Sequence, residues 1–458
     1  MLVVRREARR SYNNGRPHCE RRFAGVLKMV CGPAVRGSDT GKFLMLEQRL
    51  FRQVAITAIL SASVASGEDW TRFRGANGAG QSDAKSIPTE WQDEDYNWQV
   101  ELPGIGHSSP VIWKDRVVVT SGDPESAIRH VTCLRTSDGS EVWSRQFASV
   151  PHHLHTRNSY ASSTPALDGK HVFLTWATPT EYLLLALDME DGSEVWRVDL
   201  GPFKSQHGFA SSPIVYGDSV ILGNEQLGES FLAAYDRASG DLKWKCPRRG
   251  GVQTAYSVPC VFRAADGSEQ LIFHSTAHGV SGLEPETGKL LWSIDVFPLR
   301  CVSSPVVAGG LIFGTSGQGG TGEAVVAVKP GNREGREASV QYKIKKSAPY
   351  VVTPVAYRDL LFVWHDSGIV SCHDIADGRL RWRERVGRGQ GFSGSPVRVG
   401  ENIYCISERG EVVVLAAADQ YRLLARNDLG EASRTTPAVS EGRMYLRTET
   451  KLMSLGGR

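Results

Sequence analysis

The string Asp-Gly-Ser-Glu-Val-Trp occurs twice in this chain, at residues 138–143 and 191–196, which lie fifty-three residues apart. Looser copies of the string end at Trp244, Trp292 and Trp382. A period of about forty to fifty residues with a glycine turn and a fixed tryptophan is typical of the blades of a β-propeller. The repeat therefore predicts an all-β chain, a β-propeller in which one four-stranded unit is repeated.

A hydroxyl residue directly before a proline recurs in step with the tryptophan. The pairs are Ser109-Pro110, Thr164-Pro165, Ser212-Pro213, Ser304-Pro305, Thr353-Pro354, Ser395-Pro396 and Thr436-Pro437. An eighth copy, Ser257-Val258-Pro259, has its serine one place earlier. Successive prolines are 55, 48, 46, 46, 49, 42 and 41 residues apart, so we predict eight antiparallel blades. Proline is tolerated because it opens a strand, where a missing N–H costs little.

The eighth unit contains only three strands, and a spare strand lies at the other end of the repeat, at residues 96–100. We predict that this N-terminal strand completes the last blade and leaves no free sheet edge. Two blades are degenerate: Tyr342 stands in the tryptophan position of blade five, and blade seven has no tryptophan there.

The repeat tryptophans are expected to join neighbouring blades. We predict that a glycine and a small residue of each repeat leave room for the large indole of an adjacent unit. The structural tryptophans are Trp98, Trp143, Trp196, Trp244, Trp292 and Trp382.

The first 67 residues do not belong to the repeat. Residues 45–67 contain two arginines, an apolar stretch and then small residues, which is the composition of a secretory signal peptide. We interpret Met45 as the true start and residues 1–44 as an over-called extension; the alternative is a disordered basic arm. Residues 68–458 are then a single propeller domain, which we expect to be periplasmic or secreted, without a transmembrane segment, and monomeric.

The charge balance argues against a nucleic-acid partner. Residues 1–44 carry ten Lys and Arg against three Asp and Glu, and residues 45–65 add one further net positive charge. Because the whole chain is only +3, the remainder is about −5. A slightly acidic protein lacks the electrostatic footprint of a nucleic-acid binder.

The six cysteines of the repeat region contain no Cys-x-x-Cys motif and no adjacent pair, so metal, haem and redox motifs are absent from the sequence. Cys133 and Cys372 occupy the small-residue position held by Ala186 and Ala234 in sister blades. We predict that both are packed side chains.

The blade pattern, Ser-Ser-Pro followed by Ala-x-Asp-x-x-x-Gly-x-x-x-Trp, resembles the pyrroloquinoline quinone (PQQ)-type propeller repeat over residues 68–458. The opening Trp70-Thr71-Arg72-Phe73-Arg74-Gly75 is similar to exported PQQ-repeat proteins of planctomycete-type bacteria. These are often described as relatives of BamB, a propeller lipoprotein that assists outer-membrane barrel assembly. The resemblance implies the fold directly, whereas the same fold carries dehydrogenases, scaffolds and other proteins.

Loops on one face of the predicted ring are longer than the turns on the other and carry the unusual side chains. Variable loops on rigid strands are the usual place for a binding site. The candidate ligand- or partner-binding residues are His107, His153, His155, Arg157, His207, Tyr256, Arg300, Tyr350, Trp364, His365, Asp366 and Arg434.

Each group of candidates has a structural alternative. The histidines at 152, 153 and 155 have metal-binding side chains, but their spacing suits neither one helix face nor one strand face, so we predict no metal. Residues 364–366 have side chains that suit a flat ligand, or are a strand end followed by a turn. Three arginines have two possible roles: they converge on a bound anion, or they form loop salt bridges with Glu225 or Glu408. They are Arg157, Arg300 and Arg434.

An enzyme of the PQQ class needs a Ca²⁺ cage of oxygen ligands, an aspartate base and a flat platform for the quinone. The resemblance also implies an adjacent disulfide pair, which this sequence lacks, and no acidic cluster stands out as a cage. We therefore predict no cofactor and no catalytic residues, with PQQ and Ca²⁺ as the alternative. The favoured function is a non-catalytic, BamB-like module for a cell-envelope protein or glycan; a PQQ-dependent oxidoreductase and a carbohydrate-binding propeller are the alternatives.

Overall fold

The computed structural model describes residues 69–251 and 253–457, which form an almost entirely β structure. The predictions for residues 1–44 and 45–67 lie outside the described residues. In chain order, the strands up to the fourth blade are β1 (Gln81–Ser82), β2 (Tyr96–Glu101), β3 (Val111–Trp113), β4 (Arg116–Gly122), β5 (Arg129–Arg135), β6 (Glu141–Phe147), β7 (Ala166–Leu167), β8 (His171–Ala177), β9 (Tyr182–Asp188), β10 (Glu194–Asp199), β11 (Ile214–Tyr216), β12 (Ser219–Asn224), β13 (Ser230–Asp236), β14 (Leu242–Arg248), β15 (Cys260–Arg263), β16 (Glu269–Ser275), β17 (Gly279–Leu283) and β18 (Leu290–Ile294).

The remaining strands form the last four blades. They are β19 (Val306–Ala308), β20 (Leu311–Gln318), β21 (Thr321–Lys329), β22 (Ser339–Ile344), β23 (Val355–Tyr357), β24 (Leu360–Trp364), β25 (Ile369–Asp374), β26 (Leu380–Arg385), β27 (Val397–Val399), β28 (Asn402–Ile406), β29 (Glu411–Ala416), β30 (Leu423–Asp428), β31 (Ala438–Ser440), β32 (Arg443–Arg447) and β33 (Lys451–Gly456). Two 3₁₀ turns, Ala76–Gly78 and Asp93–Asp95, precede the first blade.

The strands form eight antiparallel blades of four, as the repeat predicted. In the first seven blades the strands follow chain order from the channel outward, starting with β3–β6 and ending with β27–β30. The eighth blade consists of β31, β32 and β33 with β2 as its outer strand. Tyr96 lies opposite Leu455 and Glu101 opposite Lys451, so the predicted closure by the N-terminal strand is confirmed.

Five of the six predicted tryptophans donate a hydrogen bond to the backbone of the next blade, whereas Trp292 donates to the Gln270 side chain of its own blade. The indole N–H of Trp143 donates to the Met189 carbonyl of the next blade at 2.9 Å. Gly192 of that blade has a φ of +72°, and a Cβ there would lie 2.5 Å from the Trp143 ring. Glycine is therefore required at this turn both by the backbone and by the close approach of the indole. The same donation to the next blade's backbone is made by Trp98, Trp196, Trp244 and Trp382.

The small residue of the motif has a different role from the one predicted. Ala186 lies directly opposite Trp196 across the β9–β10 pair of the same blade, so it leaves room for the indole of its own blade. Cys133 and Cys372 hold the equivalent positions opposite Trp143 and Trp382, and both are buried. Their prediction as packed small side chains is confirmed, since the indole across the strand pair leaves room for little else.

The degenerate blades keep their junctions by other means. In blade five the Tyr342 hydroxyl donates to the Ile375 carbonyl of blade six, the bond that an indole makes elsewhere. At blade seven, Trp91 from the N-terminal segment is buried in the same apolar cluster as the strands of blades seven and eight. Its backbone N–H donates to the Asn427 side chain of β30 at 3.0 Å.

The segment from residue 69 to residue 82 lies inside the ring and forms a floor to its channel. The Arg74 side chain is fully buried and donates to the carbonyls of Pro354 and Pro396, each at 2.8 Å, in blades six and seven. Asn77 exchanges two hydrogen bonds with the Val261 backbone of blade four. β1 then adds a short parallel strand to the inner edge of β27. These contacts span the channel, which therefore opens on one face only.

The six cysteines of the described residues are free thiols. Between residues 69 and 457, with residue 252 left aside, no helix is long and apolar enough to cross a membrane.

Candidate functional site

A cavity of about 500 Å³ occupies the middle of the ring above this floor. Phe73 of the floor segment forms part of its base, and the loops of the open face form its rim. Eight of the twelve predicted site residues line it: His107, His155, Arg157, His207, Tyr256, Arg300, Tyr350 and Arg434. The sequence-based prediction that the channel would gather these side chains is met by their positions, while their binding role stays a prediction.

Arg300 is the most deeply fixed cation of the cavity. Its side chain is buried, with 4% of the residue exposed, and it lines the cavity wall. The guanidinium donates to the Tyr350 hydroxyl at 3.2 Å and to the Gln206 side-chain oxygen. Its Nε has no hydrogen-bond partner among the described residues. Because both partners are neutral oxygens, no carboxylate among the described residues offsets the positive charge of this guanidinium.

The other two arginines differ in their surroundings. Arg434 lies 3.5 Å from Glu449 and 4.0 Å from Glu408, so the predicted loop salt bridge exists at this arginine. Arg157 is exposed and has no carboxylate within ion-pair distance in the described part of the chain. Glu225, the other predicted partner, is bound instead by Arg248 at 2.9 Å.

Arg157 also reaches across the cavity mouth. A Cβ added to Gly320 would lie 3.8 Å from its Nη1 atom. Gly320 lies between β20 and β21 in blade five, whereas Arg157 belongs to the loop between blades one and two. The mouth is thus partly bridged from two sides.

Burial and nearby arginines lower the pKa of two histidines of the cavity. Burial, followed by the charges of Arg434 and Arg447, lowers the pKa of His107 to about 3. Burial and then Arg300 also lower the pKa of His207, whose ring packs edge-on against His155 at 4.7 Å. Protonation of these two imidazoles is therefore disfavoured beside the arginines, which are the permanent cations of the cavity.

The hydroxyls of the Ser/Thr-Pro pairs form a hydrogen-bonded ring around the cavity. The backbone N–H of Ser109 donates to the Thr164 hydroxyl of the next blade at 3.0 Å, and that of Thr164 donates to Ser212 at 2.9 Å. The same link joins each later pair from blade four onward, at 2.9 to 3.2 Å. The pattern explains why a hydroxyl precedes each proline: it fixes one blade to the next at the channel wall.

The ring is interrupted once. Blade four has Val258 where its sister blades carry a hydroxyl, so the Ser212 N–H has no acceptor there. The Val258 N–H itself still donates to Ser304. The absence of a hydroxyl before the proline of blade four was visible in the sequence. The missing acceptor for the Ser212 N–H becomes visible only when the hydrogen-bonded ring is known.

Four predicted site residues lie outside the cavity. His153 is exposed on the rim loop, and Trp364 is fully buried against Phe392 with ring centroids 5.4 Å apart. His365 is bonded to Ser367 at the following turn. Of the two interpretations of residues 364–366, the strand end followed by a turn describes the observed geometry.

Asp366 is a buried acceptor behind the cavity wall. Its carboxylate accepts the backbone N–H groups of Tyr350 at 2.6 Å and Val351 at 2.9 Å, both of which line the cavity. Asp366 therefore positions the wall from behind. Among the described residues, no group of three His, Cys, Asp or Glu side chains is placed to hold a metal ion.

The geometry of the ring agrees with a comparison of the sequence with known families. Residues 127–382 and 366–455 match the family described as outer membrane protein assembly factor BamB. The chain belongs to the BamB family. It is 25% identical to BamB of Escherichia coli K12 over 302 residues, which are 63% of this chain and 72% of the relative. Identity to BamB of Salmonella typhimurium is 23% over 281 residues, 59% of this chain and 68% of the relative.

Solved structures show the same PQQ-type propeller. BamB from Moraxella catarrhalis superposes with a TM-score of 0.54 at 15% identity, covering 78% of this chain and 97% of that one. A europium-containing methanol dehydrogenase gives 0.61 at 12% identity, covering 84% and 90%. At such identities the likeness shows the fold alone, and both BamB and dehydrogenase propellers share it.

Two parts of the site were missed by sequence reasoning. The hydroxyl ring was read only as a strand-opening marker, although its strict repetition before proline was a signal of a shared contact. The floor segment was used only for its likeness to exported proteins of the BamB type. Its buried arginines, Arg72 and Arg74, carried no periodicity that pointed to the channel.

Proposed function

We propose that this chain is an exported, monomeric, non-catalytic binding propeller of the cell envelope that docks a partner protein on its open face. The observation that carries the proposal is the difference between the two faces. The closed face has tight turns and the floor segment, whereas the open face carries the long loops and a cation-lined cavity. A scaffold that presents one variable face on a rigid ring suits the assembly role named for its BamB relatives.

The compartment is part of the same proposal. The composition of residues 45–67 supports a cleaved signal peptide, with Met45 as the start of translation. N-terminal sequencing of the protein purified from its own cells tests this directly. A first residue between 64 and 68 supports export, and a first residue within 1–44 contradicts it.

The PQQ-dependent alternative requires a cation cage as well as an anion pocket. Calcium in proteins takes about six to eight oxygen ligands, with carboxylates prominent among them. No Asp or Glu is among the residues that line the cavity. The described donor set therefore fits an anion and does not fit the calcium ion that accompanies the quinone, and no catalytic step follows from it.

Site-specific photo-crosslinking tests the docking face. A photoreactive residue is placed at Arg157 or His153, both exposed on the open face, and at Lys170, which is exposed at a closed-face turn. The proposal expects one envelope protein to be captured from the two open-face positions and not from Lys170.

The charge of the rim provides a second readout. Arg157→Glu should reduce the capture from position 153, while Lys170→Glu, the same charge change on the other face, should leave it unchanged. Capture from position 170 alone, or capture that is indifferent to Arg157→Glu, would contradict docking on the open face.

A further inference from the structure

We propose that the central cavity is a binding site for an oxyanion, a carboxylate or phosphate group carried by a small ligand. The hydroxyl ring and Arg300 form its walls. The inference goes beyond the proposed function because such a ligand would enter the cavity whether or not a protein docks on the rim.

The ring hydroxyls accept hydrogen bonds from the backbone but keep their own protons free. Each hydroxyl accepts one backbone N–H from the preceding blade, as Thr353 does from Ser304 and Ser395 does from Thr353, both at 3.0 Å. None of the seven donates its own proton to another described residue. All seven are buried within the wall, yet all line the cavity. Their O–H groups are therefore available only to whatever occupies the cavity.

The side chains that line the cavity carry a net positive charge. Arg300 and Arg157 face the cavity without a carboxylate partner among the described residues, and Arg434 is only loosely paired with Glu408 and Glu449. No carboxylate lines the cavity itself. A concave site with positive charge and no resident anion attracts negative ligands from solution.

The guanidinium of Arg300 and the ring hydroxyls line the same cavity. A buried guanidinium with free hydrogen-bonding capacity binds planar oxyanions through charge-assisted bonds, and ordered hydroxyl donors add further bonds at fixed positions. Tyr350 and Gln206 each take one N–H of the terminal nitrogens of Arg300, which leaves the second N–H of each nitrogen without a partner among the described residues, whereas the unpartnered Nε is shielded from the cavity. Because these supports already exist without a ligand, little ordering is needed when one binds.

The apolar base of the cavity restricts the class of ligand that fits it. Phe73 lies at the bottom of the cavity, and Tyr256 and Tyr350 belong to its wall. A ligand with an oxyanion group on a small, partly apolar body matches both surfaces. A free ion matches only the donors.

Titration of the full exported protein with matched probes tests the inference. Galacturonate and galactose differ by a carboxylate in place of a hydroxymethyl group, and inorganic phosphate serves as the second oxyanion. We expect saturable binding of galacturonate or phosphate, which identifies the oxyanion type, and at least tenfold weaker binding of galactose. Equal binding of galactose and galacturonate, or no binding of either oxyanion, would overturn the proposal.

Variants assign the binding to the cavity. Arg300→Gln should weaken oxyanion binding by about tenfold or more, since a charge-assisted bond is lost. Arg157→Gln lies on an exposed side chain and should fold normally while weakening binding by a few-fold. Lys170→Gln removes the same charge from the closed face and should have no effect. An equal loss in Lys170→Gln would attribute the binding to overall charge and refute the cavity site.

A gain-of-function variant separates binding from stability. Val258→Thr adds an eighth hydroxyl at the interruption of the ring and should tighten oxyanion binding by about two- to fivefold without affecting galactose. Thr353→Val should weaken binding, and Thr353→Ser should restore it. Unchanged affinity in Val258→Thr and Thr353→Val together would exclude the ring from the site.

Discussion

The backbone N–H of Thr436, in the last blade, donates a 3.2 Å hydrogen bond to the Ser109 hydroxyl of the first. This bond closes the inner ring at the same junction at which β2 closes the outer edge. The two ends of the repeat are therefore held together both at the channel wall and at the outer edge of the propeller. Neither contact is local in the chain, so each is gained only when the whole propeller has formed.

Removing the acceptor at this junction should weaken the closure. Ser109→Ala leaves the buried Thr436 N–H without a partner, and we expect a loss of about 1 to 3 kcal/mol in the free energy of unfolding. Denaturant unfolding measures the loss, and hydrogen exchange should show faster exchange in β31 and β3 than elsewhere. Ser109→Thr keeps the hydroxyl and serves as the control. Equal stability of the alanine and threonine variants would mean that the bond contributes nothing.

Completing the ring should stabilise it. Val258→Thr keeps the branched shape and offers an acceptor to the Ser212 N–H, so we expect a gain of about 0.5 to 1.5 kcal/mol. The matched control is Val258→Thr in a Ser212→Pro background, where the N–H no longer exists. The gain should vanish there. A destabilised Val258→Thr would show that the Ser212 N–H does not point to this position.

The glycine turns should differ sharply in their tolerance of a side chain. Gly192 and Gly217 both have a positive φ, +72° and +56°, but only Gly192 meets a neighbour, the Trp143 ring at 2.5 Å. Gly217→Ala should cost about 1 kcal/mol from the backbone alone. Gly192→Ala adds a steric clash with the indole and should cost about 2 to 4 kcal/mol. Similar losses in thermal or denaturant unfolding would refute the account of the blade junction.

The half-buried His107 should make the propeller sensitive to acid. Its pKa is lowered to about 3 in the folded protein, against an ordinary value near 6.5. Its contribution is thus present above about pH 6.5 and is lost as the pH falls towards 3, because the unfolded chain binds the proton first. His107→Gln should lose about 2 kcal/mol less stability than the wild type between pH 7 and pH 5.

The control for this effect is His153→Gln, which alters an exposed histidine of the rim loop. Unfolding curves at pH 7 and pH 5 for the three proteins provide the measurement. If His107→Gln followed the wild type through this range, His107 would not be the group that titrates.

The propeller fold could be predicted from the sequence because each blade repeats the same contact with the next blade. Trp196 and Gly240 recur in register, and each pair reports a contact between consecutive units, so period and blade count follow from spacing alone. Closure by residues 96–100 followed from the missing strand. The role of Ala186 was misassigned because a repeat spacing does not distinguish a partner in the same blade from one in the next.

The site was less accessible to the sequence because its residues come from many blades and are joined only by the ring. Arg300 and Gln206 are ninety-four residues apart, and Arg74 reaches the backbone of Pro396 at a separation of 322. The blade topology was enough to predict that the rim residues lie on one face, since loops that join equivalent strands of each blade open on the same side of the ring. It did not indicate that Trp364 and Asp366 turn into the wall, which depends on packing against Phe392 and on bonds to the residue 350–352 backbone.

The central claim is that this propeller binds without catalysing quinone-dependent oxidation. Isothermal titration of PQQ into the exported protein, with and without Ca²⁺, tests it most directly. The account predicts no binding that depends on Ca²⁺ and no reduction of a redox dye when alcohols or sugars are added. Saturable one-to-one binding of PQQ that requires Ca²⁺, followed by dye reduction, would contradict it.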